Sequence, residues 1–180
     1  ASKLAISVGR LAPIKGYVRL VVAWKKVVDV YPEVKLVIIG EGEDRVRIEK
    51  QIKLLGLGQS IYLIGERKYV YPYIQNADLY VCSSYSESFG LSMAQAMSLG
   101  KPVVSIDCDF GPRELFDSKE VLSSEKYPFK TKYGYLVNEA SLSEGVLSAF
   151  NTSFDSDQIK GRAEYFNLKT IGKSWDDLLV

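Results

Sequence analysis

Two segments of this sequence place charge and hydroxyl groups where an apolar run has just ended. In the first, Gly9-Arg10-Leu11-Ala12-Pro13-Ile14-Lys15-Gly16, two cations lie between a strand-like run and a helix start. Backbone amides and the helix dipole favour negative charge there, a guanidinium adds fork-shaped donors, and an ammonium adds a mobile point charge. This is an anion site by construction, unless both cations are solvated loop residues, which spacing alone leaves as an equal alternative. It is not a Walker A loop, because the order G-x-x-x-x-G-K-[ST] is absent.

The second segment, Ser83-Ser84-Tyr85-Ser86-Glu87-Ser88-Phe89-Gly90, runs into another helix start, so its hydroxyls and amides suit a second part of an anionic ligand. Glu87 can accept hydrogen bonds from sugar hydroxyls, and Gln95, two turns into the following helix, offers one acceptor and one donor. The plain alternatives are a first-turn acid that complements the helix dipole and a glutamine that faces solvent. Asp107-Cys108-Asp109-Phe110-Gly111-Pro112-Arg113-Glu114 closes the series, with Pro112 at a first helical position and Glu114 in the first turn. It reads either as a well-built helix start or as a further acid and turn at the same crevice. Gly40-Glu41-Gly42 reads as a turn.

The elements that must carry these segments alternate regularly. Apolar runs at Leu4–Val8, Lys35–Ile39, 61–64, Leu79–Cys82, 102–106 and 135–137 have the length and continuity of buried parallel strands. Between them, Leu20, Trp24, Val27, Val28 and Tyr31 recur at helical spacing until Pro32. Ile48, Ile52 and Leu55 do the same over 43–55, and shorter helices are expected over 69–76, over 89–99 and near Gly111. After Asn138 the pattern stays helical, through Leu142, Val146 and Phe150 to Trp175, Leu178 and Leu179. This order predicts an α/β fold, a Rossmann-like doubly wound parallel sheet of about six strands with helices on both faces and a helical tail over about 140–180. Residues 1–180 read as one such domain. The stretch 117–132 shows neither period and reads as a loop or an insertion. Ligands of such sheets bind beyond the carboxyl ends of the strands, which is where the three polar segments fall.

Composition removes several chemistries. Among 180 residues there is no histidine, so a Ser/His/Asp triad, a Cys/His dyad and any histidine-bearing metal site are impossible within the chain. Two cysteines, Cys82 and Cys108, cannot make a four-thiolate zinc cluster and fit a reducing compartment better than a disulfide framework. Basic and acidic side chains number 23 and 22, a balance that gives no long-range pull towards nucleic acid, and no nucleic-acid partner is expected. No uninterrupted apolar run approaches 18 residues, and the first residues lack the layout of a signal peptide; a cytoplasmic location is expected.

The order VGRLxxxKG, KLVIIGEGE, ADLYVCSSYSESFGLSMAQAMSLGKPVVS and GPRE resembles the C-terminal, nucleotide-sugar-binding domain of the group 1, or family 4, retaining glycosyltransferases over roughly residues 5–115. The resemblance implies a GT-B architecture, two Rossmann-like domains across a cleft, of which this chain is the donor half and an N-terminal acceptor domain the other. It implies a hexosyltransferase that moves a sugar from a nucleotide diphosphate, UDP by the look of the GPRE loop, to a glycan or lipid-linked acceptor in polysaccharide biosynthesis. This domain alone is expected to be inactive. An association with the cytoplasmic face of the membrane would come through the other domain.

By the same resemblance Arg10 and Lys15, in the loop opened by Gly9, hold the diphosphate, and Glu87 engages the donor sugar; these three form the catalytic set. Amides of Phe89, Gly90 and Leu91 meet the distal phosphate, and residues around Gly65 and Arg67 lie by the base. The family's second glutamate, eight positions on, is here Gln95, a departure. A carboxylate accepting two ribose hydroxyls would be exchanged for one oxygen and one amide, a loss of roughly 1 kcal/mol. That departure leaves open a non-catalytic nucleotide-sugar-binding module as the alternative. No cofactor or metal is expected, because in retaining members the diphosphate assists attack on the same face through an oxocarbenium-like transition state. The length of 117–132 is a second departure, since the family connection there is usually shorter.

Overall fold

The computed structural model describes residues 2–108, 110–118 and 126–167. Its elements run β1 (Leu4–Val8), a 3-10 turn (Pro13–Lys15), α1 (Tyr17–Val30), β2 (Lys35–Ile39), α2 (Arg45–Leu54), β3 (Ile61–Leu63), α3 (Tyr71–Asn76) and β4 (Leu79–Cys82). There follow α4 (Leu91–Ser98), β5 (Val103–Ile106), α5 (Gly111–Leu115), β6 (Phe129–Lys130), β7 (Gly134–Val137), α6 (Leu142–Phe150) and α7 (Ser156–Glu164).

The strands form one sheet of seven in the order β3-β2-β1-β4-β5-β7-β6, parallel except for the antiparallel edge strand β6. Neighbours depart from chain order between β1 and β4, the switch point at which a crevice opens in a doubly wound sheet. The apolar runs are continuous because both faces are covered. Along β4, Leu79 and Val81 enter one core while Tyr80 and Cys82 enter the other. Along β7, Tyr135 and Val137 are separated in the same way from Leu136. The first core lies under α1, α2 and α6, and the second under α3, α4, α5 and α7. Helix α1 contributes Tyr17, Leu20, Val21, Trp24 and Val27, all buried, each worth about 1.5–3 kcal/mol by removal of apolar surface from water. Trp24 keeps its polar end satisfied, donating to Ser60 Oγ at 2.9 Å.

The structure corrects the sequence expectation at several places. Among the described residues there are seven strands where about six were expected, because Phe129 and Lys130 pair with Leu136 and Tyr135. Two residues are too few to show an alternating pattern. Helix α2 begins at Arg45 rather than residue 43, α3 at Tyr71 rather than 69, and α4 at Leu91 rather than 89. In the last case Gly90, at φ 88, takes the left-handed conformation that precedes the first turn. The tail contains α6, which packs on α1 and β7, and α7, which packs on α4. Trp175, Leu178 and Leu179 lie outside the described residues. No helix among the described residues is long and apolar enough to cross a membrane.

Candidate functional site

At the carboxyl end of β1 the chain is held before it reaches its cations. Tyr80, buried in the neighbouring strand, donates its hydroxyl to Val8 O at 3.0 Å and receives Val8 N at 3.2 Å. Burial pushes the phenols of Tyr80 and Tyr17 well above their usual range, so both remain neutral donors. The loop from Gly9 then lies directly against the one after β2: Gly9 N donates to Ile39 O at 3.0 Å, Leu11 N to Glu41 O at 2.8 Å, and Asp44 N to Leu11 O at 2.8 Å. Gly40-Glu41-Gly42 is therefore more than a turn. A Cβ on Gly42, whose φ is 157, would stand 2.4 Å from Leu11 O, so a side chain there would push the two loops apart.

These contacts present Arg10 and Lys15 on different partners. Arg10 is exposed and bonds Glu43, with Nη2 2.9 Å from Oε2 and 3.1 Å from Oε1; the backbone amide of Glu43 itself, and after it the guanidinium, hold that carboxyl below the usual carboxylate range. Lys15 Nζ lies 2.7 Å from Glu87 Oε1. That pair is partly enclosed, with side-chain exposures of 28% and 11%, so its charges are screened less than the Arg10 pair at 71% and 52%. Glu87 Oε1 also accepts Ser84 Oγ at 2.5 Å. The backbone of Glu87 bridges to Phe110, and its carbonyl receives Gly111 N at 3.4 Å, which ties the loops after β4 and β5 together.

The remaining sequence candidates lie at and in α4 and in the loop after β3. Phe89 precedes α4 and stacks edge-on against Phe166 with ring centroids 5.3 Å apart. Gly90 caps the helix, and Met93 N makes its first backbone bond, to Gly90 O, so the amides of Phe89, Gly90 and Leu91 precede the hydrogen-bonded ladder. Gln95 is half-buried in the second turn of α4. Gly65, at φ 76, accepts Gly40 N at 3.1 Å. Arg67 lines a cavity of about 540 Å³ together with Val8, Gly9, Arg10, Gly40 and Glu66. Arg10, Lys15, Gly65, Arg67 and Glu87 thus lie on the loops that leave the carboxyl ends of β1, β3 and β4, with Lys15 and Glu87 paired at the switch point. No group of three or more acidic or cysteine ligands suitable for a metal occurs among the described residues.

Arg19 was not singled out from the sequence. Inside α1 it resembles any surface cation, yet its Nε and Nη2 donate to Ser83 O at 2.8 and 2.5 Å and its guanidinium stacks on Tyr85, 3.6 Å from the ring centroid. With Ser83 Oγ donating to Lys15 O at 2.8 Å and Tyr85 N to Ile14 O at 2.8 Å, it clasps the loops after β1 and β4. Asp107 also gains a role: its side chain, 1% exposed, accepts Arg113 Nε at 2.7 Å and the hydroxyl of Tyr127. The only sequence signal for either residue was position after a strand or on the first helix.

Both cysteines are free and buried. Burial pushes the Cys82 thiol up and raises Cys108 from 9.0 to about 11. The folded state thus favours the protonated thiol. The unfolded chain loses that proton from about pH 9, so stability is undiminished below pH 9 and declines as pH rises towards 11. We expect urea midpoints to fall between pH 9 and 11, and less steeply in Cys108→Ala; an unchanged slope in that variant would contradict the assignment. At pH 8 native Cys108 should alkylate far more slowly with iodoacetamide than the unfolded chain.

Residues 1–148 match the family described as Glycosyl transferases group 1. A glycosyltransferase of Methanocaldococcus jannaschii is 36% identical over 138 residues, 76% of this chain and 34% of that protein. The poly(glycerol-phosphate) alpha-glucosyltransferase of Bacillus subtilis is 40% identical over 111 residues, 62% of this chain and 16% of its own length. Among solved structures, Staphylococcus aureus TarM, in complex with UDP and alpha-GlcNAc-glycerol among its ligands, superposes with a TM-score of 0.83 at 24% identity over 98% of this chain and 35% of its own. That likeness shows the fold, one Rossmann-like half of a GT-B structure. The chain spans about a third or less of these proteins.

Proposed function

This chain belongs to the group 1 glycosyl transferases, and from that premise we propose that it is the donor-binding half of a retaining enzyme that moves a sugar from a UDP-sugar to a glycan or lipid-linked acceptor. The observation that carries the reading is the 2.7 Å pairing of Lys15 with Glu87 at the switch point, beside the start of α4. Lys15 has three donors and gives one to Glu87; the others remain for a diphosphate oxygen. Arg10 borders the cavity that reaches Arg67, where a base would lie. Lys15 and Arg10 then face the atoms that gain negative charge as the bond from the anomeric carbon to the diphosphate oxygen breaks. Preorganised cations and helix amides lower a barrier most at that stage. Glu87 supplies a carboxylate to the sugar, whose anomeric carbon gains positive charge until the acceptor hydroxyl oxygen bonds to it on the same face and gives its proton to the departing diphosphate oxygen.

UDP as the donor nucleotide is supported by the UDP found in TarM and in the pneumococcal O-GlcNAc transferase GtfA, and a polymeric acceptor by the B. subtilis relative. The acceptor site is assigned to a second domain beyond this chain, and the donor half by itself should bind nucleotide without transferring sugar. No cofactor is required by this scheme. Calorimetric titration with UDP tests it: binding is expected, and Arg10→Ala or Lys15→Ala should each weaken it by about 1–3 kcal/mol if they make charged hydrogen bonds. Absence of heat at millimolar UDP would remove the reading.

A further inference from the structure

We propose that Tyr127, in the described segment 126–132, is a positioning residue for Glu87; the donor role of Glu87 rests on the reading above. The topology brings Tyr127 to the right level. Strand β6 runs antiparallel to β7, with Phe129 opposite Leu136. Two residues before Phe129 the chain therefore stands level with the carboxyl ends of the parallel strands, although β6 is at the sheet's edge.

From there the phenol of Tyr127 donates to Asp107 Oδ2, and Arg113 closes the same carboxylate from the other side, Nε to Oδ1 at 2.7 Å and Nη2 to Oδ2 at 3.2 Å. Asp107 is the first residue after β5, anchored by its own amide on Val137 O at 2.8 Å. Three residues on, Phe110 bridges to Glu87, and Gly111 donates to the Glu87 carbonyl. Gly111 has no room for a side chain in this contact, since a Cβ would stand 2.5 Å from Phe89 O. The Asp107 carboxylate fixes where the connection from β5 to Phe110 begins, and the backbone pairing of Phe110 and Gly111 at its end fixes Glu87. Phe110 holds a φ of 75, uncommon for a residue other than glycine, so that connection needs restraint at both ends. Tyr127 supplies one of the restraints at its start.

The test is Tyr127→Phe, which removes one oxygen and retains the ring. By amide hydrogen exchange in the free chain, protection of Gly111 N–H should fall at least fivefold, whereas Leu36 N–H, bonded to Ser60 O in the sheet interior, should be unchanged. A general loss of stability would lower both, so equal loss, or no change at Gly111, overturns the proposal. The second arm compares UDP with UDP-glucose and UDP-N-acetylglucosamine in the wild type and the variant. Affinity for UDP should hold within about twofold, and the extra affinity given by the sugar should drop about fivefold. Equal weakening of all ligands again overturns it. If neither the wild type nor the variant binds any of the three, the donor reading fails, while the exchange measurement still decides whether Tyr127 holds the Glu87 loop.

Discussion

Glu87→Gln is expected to reduce sugar transfer by the full-length protein roughly 10²–10³-fold, the usual effect of removing one preorganised electrostatic group from a site where charge develops. The substitution is chosen for what it preserves. Glutamine keeps an oxygen for Lys15 Nζ at 2.7 Å and for Ser84 Oγ at 2.5 Å, so the loop after β4 should remain in place. Lys15 would lose its counter-charge, and an ammonium no longer neutralised at close range should hold a diphosphate at least as tightly. The expected signature is therefore a fall in kcat with UDP affinity unchanged or modestly increased. Steady-state kinetics with UDP competition measure both. A kcat within threefold of wild type would show that Glu87 serves only as the partner of Lys15, and the assignment of the sugar to this carboxylate would be withdrawn.

How far such a site can be read from sequence depends on the distance over which its residues act. The loops that carry Arg10, Lys15 and Glu87 were legible because the alternation of apolar runs is enough to locate the strand ends from which those loops leave. The sheet was legible for the same reason, since covered strands leave uninterrupted runs such as Leu79–Cys82. What could not be read was pairing across the chain. That Lys15 meets Glu87 follows from β1 and β4 being neighbours, 72 residues apart in sequence. Arg19 falls outside the polar segments altogether, and its grip on Ser83 O depends on the backbone of a loop 64 residues away. Strand β6 escaped because a two-residue edge strand is defined by its partner β7 and not by its own pattern. The glycines of 40–42 were legible as a turn but not as the surface on which the first loop rests, because that role depends on what lies next to them.

Arg113→Ala should be among the most destabilising single changes available near the site, at about 3–5 kcal/mol, since it leaves the carboxylate of Asp107, 1% exposed, without its ionic partner. The Tyr127 hydroxyl alone cannot offset a buried negative charge, although it contributes one hydrogen bond. Urea unfolding of the chain measures the loss, and a cost below about 1 kcal/mol would mean that the pair behaves as a solvated one. The informative companion is the double variant Asp107→Leu with Arg113→Met, which removes both charges at similar volume. Such replacements are often neutral or stabilising, so most of the lost stability should return. Residue 107 would then be packed but no longer directed by hydrogen bonds from Arg113 and Tyr127. If the cluster exists to aim Phe110 and Gly111 at Glu87, the double variant should refold to near wild-type stability and still fail to gain affinity from the sugar of a UDP-sugar. Full recovery of both properties would show that the ion pair contributes stability alone. Recovery of stability without donor discrimination would show why a buried charge pair, costly to desolvate, stands where apolar residues would hold the fold as well.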